Sequence, residues 1–329
     1  MARRFHDVRA FADGLKGGVV AIGNFDGVHR GHQAVLAQAI DAARQAGVSA
    51  SVLTFEPHPR TVFRPDQPVF RLTPAPMKAA LLGHLGFDAV VEHPFDKTFS
   101  AQSAETFVAD ILCDCLGVHH VVTGFDFHFG KGREGNPEFL TRSGERHGFG
   151  VTLVDAFRDE NAQVVSSSRV REALAEGSLG EAAALLGYRF AVSSKILHGQ
   201  KLGRTLGYPT ANMALPPETE LKPGIYAVRF RRPYGVVYDG VASFGRRPTV
   251  AEDGAALLLE TYLFDFSGDL YGETCTVSLV SYLRGEEKFD GLDPLVAQMR
   301  IDEAEARAVL AQIKPLSPLD AAMTFETVT

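Results

Sequence analysis

The sequence predicts two units of different class: an α/β half built on a doubly wound parallel sheet, then an all-β barrel with a closing helix. Three observations carry this. Up to residue 155, short apolar runs alternate with stretches of helical spacing, as in βα repeats around a parallel sheet. After Gly187 the elements become short, alternating and β-branched, with frequent turns. The 329 residues are more than one core ordinarily supports. The boundary is placed near Gly187, giving units 1–187 and 188–329.

Val19-Val20-Ala21-Ile22 reads as a buried parallel strand. Gln33 to Ala46 keeps helical spacing and Gly47 marks its stop. The stretch between, Gly23-Asn24-Phe25-Asp26-Gly27-Val28-His29-Arg30-Gly31-His32, is thus a strand–turn–helix junction. Its glycines allow close backbone approach, and a helix N-terminus there attracts phosphate. His29 and His32 fall on the first helical turn, where two imidazoles can stabilise charge in phosphoryl or nucleotidyl transfer.

Ser51 to Phe55 is the next strand, ending in Glu56-Pro57-His58-Pro59-Arg60, a stiff extended loop at a strand's carboxyl end. Thr73 caps a helix that opens on Pro74 and runs to Leu85. Ala89 to Val91 is a strand, Ala104 to Leu116 a helix, and Val118 to Thr123 a strand. The last runs into Gly124-Phe125-Asp126-Phe127-His128-Phe129-Gly130, part of a glycine- and aromatic-rich loop. There Asp126 can accept hydrogen bonds from ribose or base, while the phenylalanines can either stack on a ligand or pack beneath the loop. Asn136 caps a further helix, and Gly150 to Asp155 is a strand. Ser166, Ser167, Ser168, Arg169 and Arg171 then open a helix to Glu176, an anion site in composition. Ser178 to Leu186 closes this half.

In the second half, His198 to Asn212 holds Gly199, Gly203 and Gly207 at spacing four outside any helix, with Arg204 and Pro209 among them. Thr210 and Asn212 are period-two neighbours, so on an extended segment their oxygens share a face, and neutral oxygens suit Mg²⁺. Tyr226 to Phe230, Val236 to Phe244 and Leu257 to Asp265 read as strands. Glu260 interrupts the last; burial would raise its pKa towards that of a general base. Asp293 caps a helix from Pro294 to Ile313 with an apolar stripe for the barrel. The tail beyond Pro315 is expected to be mobile.

Taken in order, these motifs carry a resemblance. Gly23 to His32 is similar to the HxGH signature of nucleotidyltransferases, in the form found in bacterial FAD synthetases, which are bifunctional riboflavin kinase/FMN adenylyltransferases. Val165 to Glu172 resembles their second signature, with Ser168 where threonine is usual. Gly199 to Asn212 looks like the riboflavin kinase glycine-rich run, and Gly240 to Thr249 and Leu283 to Phe289 resemble further kinase segments. The resemblance implies a Rossmann-like nucleotidyltransferase domain and a six-stranded kinase barrel. It implies that Gly23, Asn24, Phe25, Asp26, His29, His32, Asp126, Ser167, Ser168 and Arg171 hold ATP for adenylylation, with His29, His32 and Arg171 catalytic. Phe55, Pro57, His58, Pro59, Phe127 and Phe129 would line that domain's flavin site. In the kinase, Gly199, Gly203, Arg204, Gly207, Pro209, Thr210 and Asn212 would hold ATP and phosphate, Thr210 and Asn212 the Mg²⁺, and Glu260, Arg284 and Phe289 the flavin, with Glu260 the base. Ser243 stands where the kinase pattern has asparagine, Tyr262 where histidine is usual, and Ser194 where glycine is frequent.

The implied reactions are phosphorylation of riboflavin by ATP to FMN, and adenylylation of FMN by a second ATP to FAD and pyrophosphate. Riboflavin, FMN and ATP are then the partners, Mg²⁺ the cofactor, with room for weak self-association. A net charge of −7 with scattered basic residues argues against a nucleic-acid-coating protein. No run of about 18 apolar residues exists, and the start lacks a secretory apolar core, so no membrane is expected. Three cysteines, an odd number, suit a cytoplasm; Cys113 and Cys115 can pack or pair on metal, and no further ligands are spaced for zinc. Two alternatives stay open: an enzyme with one live activity, and a flavin-binding regulatory protein.

Overall fold

A computed structural model describes residues 2–198, 207–247 and 256–326. The chain divides into two compact units, Met1–Ser167 and Ser168–Thr329. The division falls before the expected boundary at Gly187. Helices 167–176 and 179–186 group with the barrel, where Lys222 N donates to Leu174 O at 3.1 Å and Ser317 Oγ to Gly187 O at 2.7 Å.

The first unit is a six-stranded, all-parallel sheet in the order β1-β4-β3-β2-β5-β6. Its strands are β1 (Arg3–Phe5), β2 (Val19–Ile22), β3 (Ala50–Glu56), β4 (Ala89–Pro94), β5 (His120–Gly124) and β6 (Gly150–Val154). Every residue of β2 is buried, as a central strand covered on both faces requires. The helices are α1 (Arg30–Ala46), α2 (Pro59–Phe63), α3 (Ala75–Leu85), α4 (Lys97–Ser100), α5 (Ala104–Thr106, continuing as a π-helix Phe107–Cys115) and α6 (Pro137–His147). From β2 the chain winds outward through β3 to β4, then returns so that β5 lies on the other side of β2. The carboxyl ends of β2 and β5 therefore flank a topological switch point, where open parallel sheets bind ligands.

The second unit begins with α7 (Ser167–Glu176, its first residue belonging to the first unit) and α8 (Leu179–Leu186). A closed antiparallel barrel follows, in the order β10-β11-β8-β7-β12-β9. Its strands are β7 (Ala191–Leu197), β8 (Thr210–Leu215), β9 (Gly224–Arg231), β10 (Val237–Arg247), β11 (Ala256–Leu263) and β12 (Thr274–Arg284). Two register shifts in β12 against β9 bend the wall towards closure. Alternation turns Met213, Val228, Phe230, Phe244, Leu259 and Val277 into the lumen, all at most 1% exposed. Helix α9 (Leu292–Leu310) lays Ala306 and Leu310 against Phe264 and Ala227 on the outside.

Three local expectations are corrected. Helix α3 starts after Pro74 without a side-chain cap, because Thr73 spends its hydroxyl on Gly27 N at 2.8 Å. Helix α9 starts at Leu292 behind Gly291, which leaves Asp293 in the first turn, where the helix dipole favours a carboxylate. The tail is anchored: Asp320 is 0% exposed, accepts from Arg189 N at 2.9 Å and pairs with the Arg189 guanidinium.

Candidate active sites

In the first unit the loop after β2 is bent by backbone that non-glycine residues rarely adopt. Phe25 (φ 47°) and Val28 (φ 38°) both lie in the left-handed region, as does Gly27 (φ 88°). Such residues cost about 1–3 kcal/mol each and cluster at ligand sites. The bend is held from several sides: Asp26, 2% exposed, accepts from Thr73 N at 3.0 Å and Leu72 N at 3.3 Å, and its carbonyl accepts from Ser167 Oγ at 2.8 Å. The Asp26 carboxylate thus faces the 72–73 backbone and builds the loop.

His29 is the N-cap of α1, one position before the first turn on which it was expected. Its Nδ1 accepts from His32 N at 3.2 Å, so a neutral ring carries its proton on Nε2. The two imidazoles stack with centroids 3.6 Å apart, and Phe25 meets His32 edge-on at 5.3 Å. Burial, then His29, then Lys78 push the pKa of His32 well below its ordinary value. His32 Nδ1 is buried and has no hydrogen-bond partner among the described residues. Gly31 fits because a Cβ there would come within 3.1 Å of the His29 ring and 3.2 Å of Val165 O.

Beneath the loop lies a charge cluster that sequence reasoning missed. Glu56 accepts from Arg71 at 2.8 and 2.9 Å and from Lys78 Nζ at 2.9 Å; Arg71 Nε also lies 3.6 Å from Asp26. Burial alone would raise the pKa of Glu56, but Arg71 and Lys78 together hold it at about 2. The available signal was Lys78 itself, a cation inside the apolar run Met77 to Leu82.

At the end of β3, His58 caps α2 by accepting from Arg60 N at 3.2 Å, so one helical turn replaces the expected extended loop. Pro57 is exposed and Pro59 half-buried, whereas Phe55 is buried on Phe95 and Phe99. Of the β5 loop, Phe129 packs in the core against Phe107 and Phe139, and half-buried Phe127 stacks on it at 5.3 Å. Phe125 and Asp126 are exposed. Gly23 and Asn24 stand at the exit of β2, half-buried and exposed. In the second unit, Ser168 is exposed and Arg171 half-buried on α7.

The barrel brings its predicted residues into one row. Glu260 on β11 is in register with Asn212 on β8 and Ser243 on β10; Thr210 is in register with Tyr262. All five lie on the barrel's outer face, the one opposite the lumen. Asn212 Oδ1 is buried and has no hydrogen-bond partner among the described residues, while Thr210 and Glu260 are half-buried. Tyr262 packs edge-on to Tyr208 at 4.8 Å and to Phe264 at 5.9 Å, so the departure from histidine is taken up in packing. Arg284 is engaged by Asp302 at 2.7 Å through both Nε and Nη2, with its guanidinium 5.9 Å from the half-buried Phe289 ring; its first task is fixing β12 to α9. Ser194 Oγ donates to Ala214 O at 3.1 Å between β7 and β8. Gly207 (φ 83°) and exposed Pro209 lead into β8, whereas Gly199, Gly203 and Arg204 lie outside the described residues, as do Pro248 and Thr249.

A switch-point loop with paired histidines on one unit, and a carboxylate–amide row on a barrel, define a nucleotidyltransferase-type sheet joined in one chain to a kinase-type barrel. Comparison with known families agrees: one described as FAD synthetase matches residues 12–169, and one described as riboflavin kinase matches 186–310. A bifunctional riboflavin kinase/FMN adenylyltransferase of Pseudomonas fluorescens is 44% identical over 311 residues, covering 94% of this chain and 98% of that one. Its counterpart in Escherichia coli K12 is 40% identical over 300 residues, covering 91% and 95%. A crystal structure of a macrolide-efflux protein from Streptococcus pneumoniae aligns with a TM-score of 0.80 at 30% identity, over 93% of this chain and 98% of that one. Among the described residues no helix is long and apolar enough to cross a membrane. The chain belongs to the bifunctional riboflavin kinase/FMN adenylyltransferase family.

Proposed function

We propose that the chain makes FAD in two steps, phosphorylating riboflavin on the barrel and adenylylating FMN on the parallel sheet, with the activities divided as 188–329 and 1–187. The observation that carries this reading is the presence, in one chain and in family order, of a strained histidine loop at a switch point and an in-register Asn212–Glu260 row. One incubation with riboflavin, ATP and Mg²⁺, followed by chromatography, tests it: FMN and FAD should both form, and absence of either removes the matching half.

In the kinase step Glu260 takes the proton of the ribityl hydroxyl as its oxygen attacks the γ-phosphorus of ATP and the bond to the β-phosphate oxygen breaks. A divalent ion fits the row, since Asn212 Oδ1 is a buried acceptor with no donor among the described residues and Thr210 shares its face. Thr210 and Asn212 would hold Mg²⁺, which when bound neutralises phosphate charge. Gly199, Gly203, Arg204, Gly207 and Pro209 cradle the phosphates, while Arg284 and Phe289 border the flavin.

In the adenylyl step an FMN phosphate oxygen attacks the α-phosphorus of ATP and pyrophosphate leaves. His29 and His32, both neutral, donate through ring N–H groups to the phosphates; Ser167, Ser168 and Arg171 add donors and charge. Gly23, Asn24, Phe25 and Asp126 border the nucleotide, with Asp26 acting through the loop it builds. Pro57, His58, Pro59 and Phe127 line the flavin, with Phe55 and Phe129 as their packed support. Positioning and electrostatics suffice, with no covalent enzyme intermediate. We place the enzyme in the cytoplasm, with small molecules rather than nucleic acid or membrane as partners, and with room for weak self-association. Three unpaired thiols and the net charge of −7 support this.

A further inference from the structure

Lys78 is 0% exposed on a helix whose neighbouring Met77, Ala79, Leu81 and Leu82 are also buried. An ammonium group there is tolerable only if its protons are met. Three acceptors surround it: Thr54 Oγ1 at 2.8 Å, Glu56 Oε1 at 2.9 Å and Asn24 O at 3.2 Å. The first two belong to β3, on the strand below. The third belongs to the loop after β2, between Gly23 and the left-handed Phe25.

That third bond separates Lys78 from an ordinary buried ion pair. Left-handed non-glycine residues persist only where their surroundings over-determine them. Here Asn24 O takes two hydrogen bonds, from Lys78 and from Thr54 Oγ1 at 3.1 Å. Farther along, Thr73 holds Gly27 N and Asp26 holds residues 72–73. The turn is pinned at both ends, and Lys78 is the charged pin at the strand end.

We propose that Lys78 is a positioning residue for adenylyl transfer, fixing the Asn24 carbonyl and thereby the left-handed turn that presents His29 and His32 to ATP. It touches no substrate; it acts through the loop. Its charge also disfavours protonation of His32, in keeping with two neutral stacked rings. The inference rests on the adenylyltransferase reading of this unit.

The test uses the full chain, in which FMN formation reports on the second unit. Lys78→Met keeps the length and the apolar fit but removes the donors; Glu56 keeps both hydrogen bonds from Arg71. Expected is a rise in KM for ATP and a fall in kcat for FAD formation from FMN. Together they lower kcat/KM by about a hundredfold, as small misplacements of reacting groups do. FMN formation stays within about twofold of wild type, because Lys78 belongs to the first unit and FMN formation is assigned to the second. Adding Glu56→Gln removes the carboxylate charge left behind. Expected is no recovery of FAD formation. Its recovery would make Lys78 merely the counter-ion of Glu56 and overturn the proposal, as would wild-type FAD kinetics in Lys78→Met. If Lys78→Met does not accumulate as soluble protein, Thr54→Val carries the test. It removes the hydroxyl that bonds both Lys78 and Asn24, and should raise the KM for ATP several-fold; an unchanged KM overturns the proposal. Wild-type protein that makes FMN but no FAD would overturn the adenylyltransferase reading itself, and this inference with it.

Discussion

His29 has two duties, which ordinary alanine replacement would confuse. Its Nδ1 caps α1, and in the proposed reaction its ring donates to the ATP phosphates. His29→Ala should cut FAD formation by about 10²–10³, the usual loss of one preorganised donor, and leave FMN formation intact. His29→Asn should restore the cap, since asparagine is among the best N-cap residues, yet leave FAD formation low. Rates of both reactions in the two variants check this; recovery with asparagine would reduce His29 to a cap. Glu260 is tested in the same way. Glu260→Gln keeps size and hydrogen bonding, so FMN formation should fall by at least about a hundredfold while FAD formation from supplied FMN continues. A folded variant with normal FMN output would remove it as base.

At the scale of elements, strands were easier to read than their junctions. Strands buried on both faces write themselves as apolar runs, and β2 and β3 were legible for that reason. The cap at Thr73 was misplaced because a cap depends on what else competes for the side chain, and its partner lies 46 residues away at Gly27. The Asn212–Glu260 register could not be seen from either strand alone. Lys78 showed its oddity in sequence but not its partners, which come from two other elements. The pairing of β3 with α3 and the 71–73 segment also makes a prediction in acid. The folded-state pKa of Glu56, about 2, lies below its ordinary 4.5. Its stabilisation is therefore complete above pH 4.5 and is lost as pH falls through about 2; it amounts to about 3 kcal/mol at most. Glu56→Gln should flatten the melting temperature against pH across that window; an unchanged slope would assign the acid sensitivity elsewhere.

For the molecule as a whole, two reactions share one co-substrate on two separately built units. If each site uses Mg²⁺ as proposed, chelation should silence both. With EDTA present, neither FMN nor FAD should appear, and excess Mg²⁺ should restore each; a step that persists has no such requirement. The histidine motif of the first unit was readable because it sits where β2 ends, in a short run of unusual residues. The anchored tail was not, because Asp320, buried in its anchor, looks like any surface aspartate until Arg189 is placed beside it.

That anchor bears on where the chain can be cut. The kinase family match stops at residue 310, yet Asp320, Ser317 and Ala322 all bond back to the barrel unit. An excised fragment 168–310 would strand the Arg189 guanidinium, 9% exposed, beside Arg229 with no carboxylate. Removing one partner of a buried pair costs about 3–5 kcal/mol, a large share of a small domain's stability. Fragment 168–329 should be soluble and cooperative in thermal melts, and 168–310 should precipitate or melt without a transition. Equal behaviour of the two would show that the tail is dispensable.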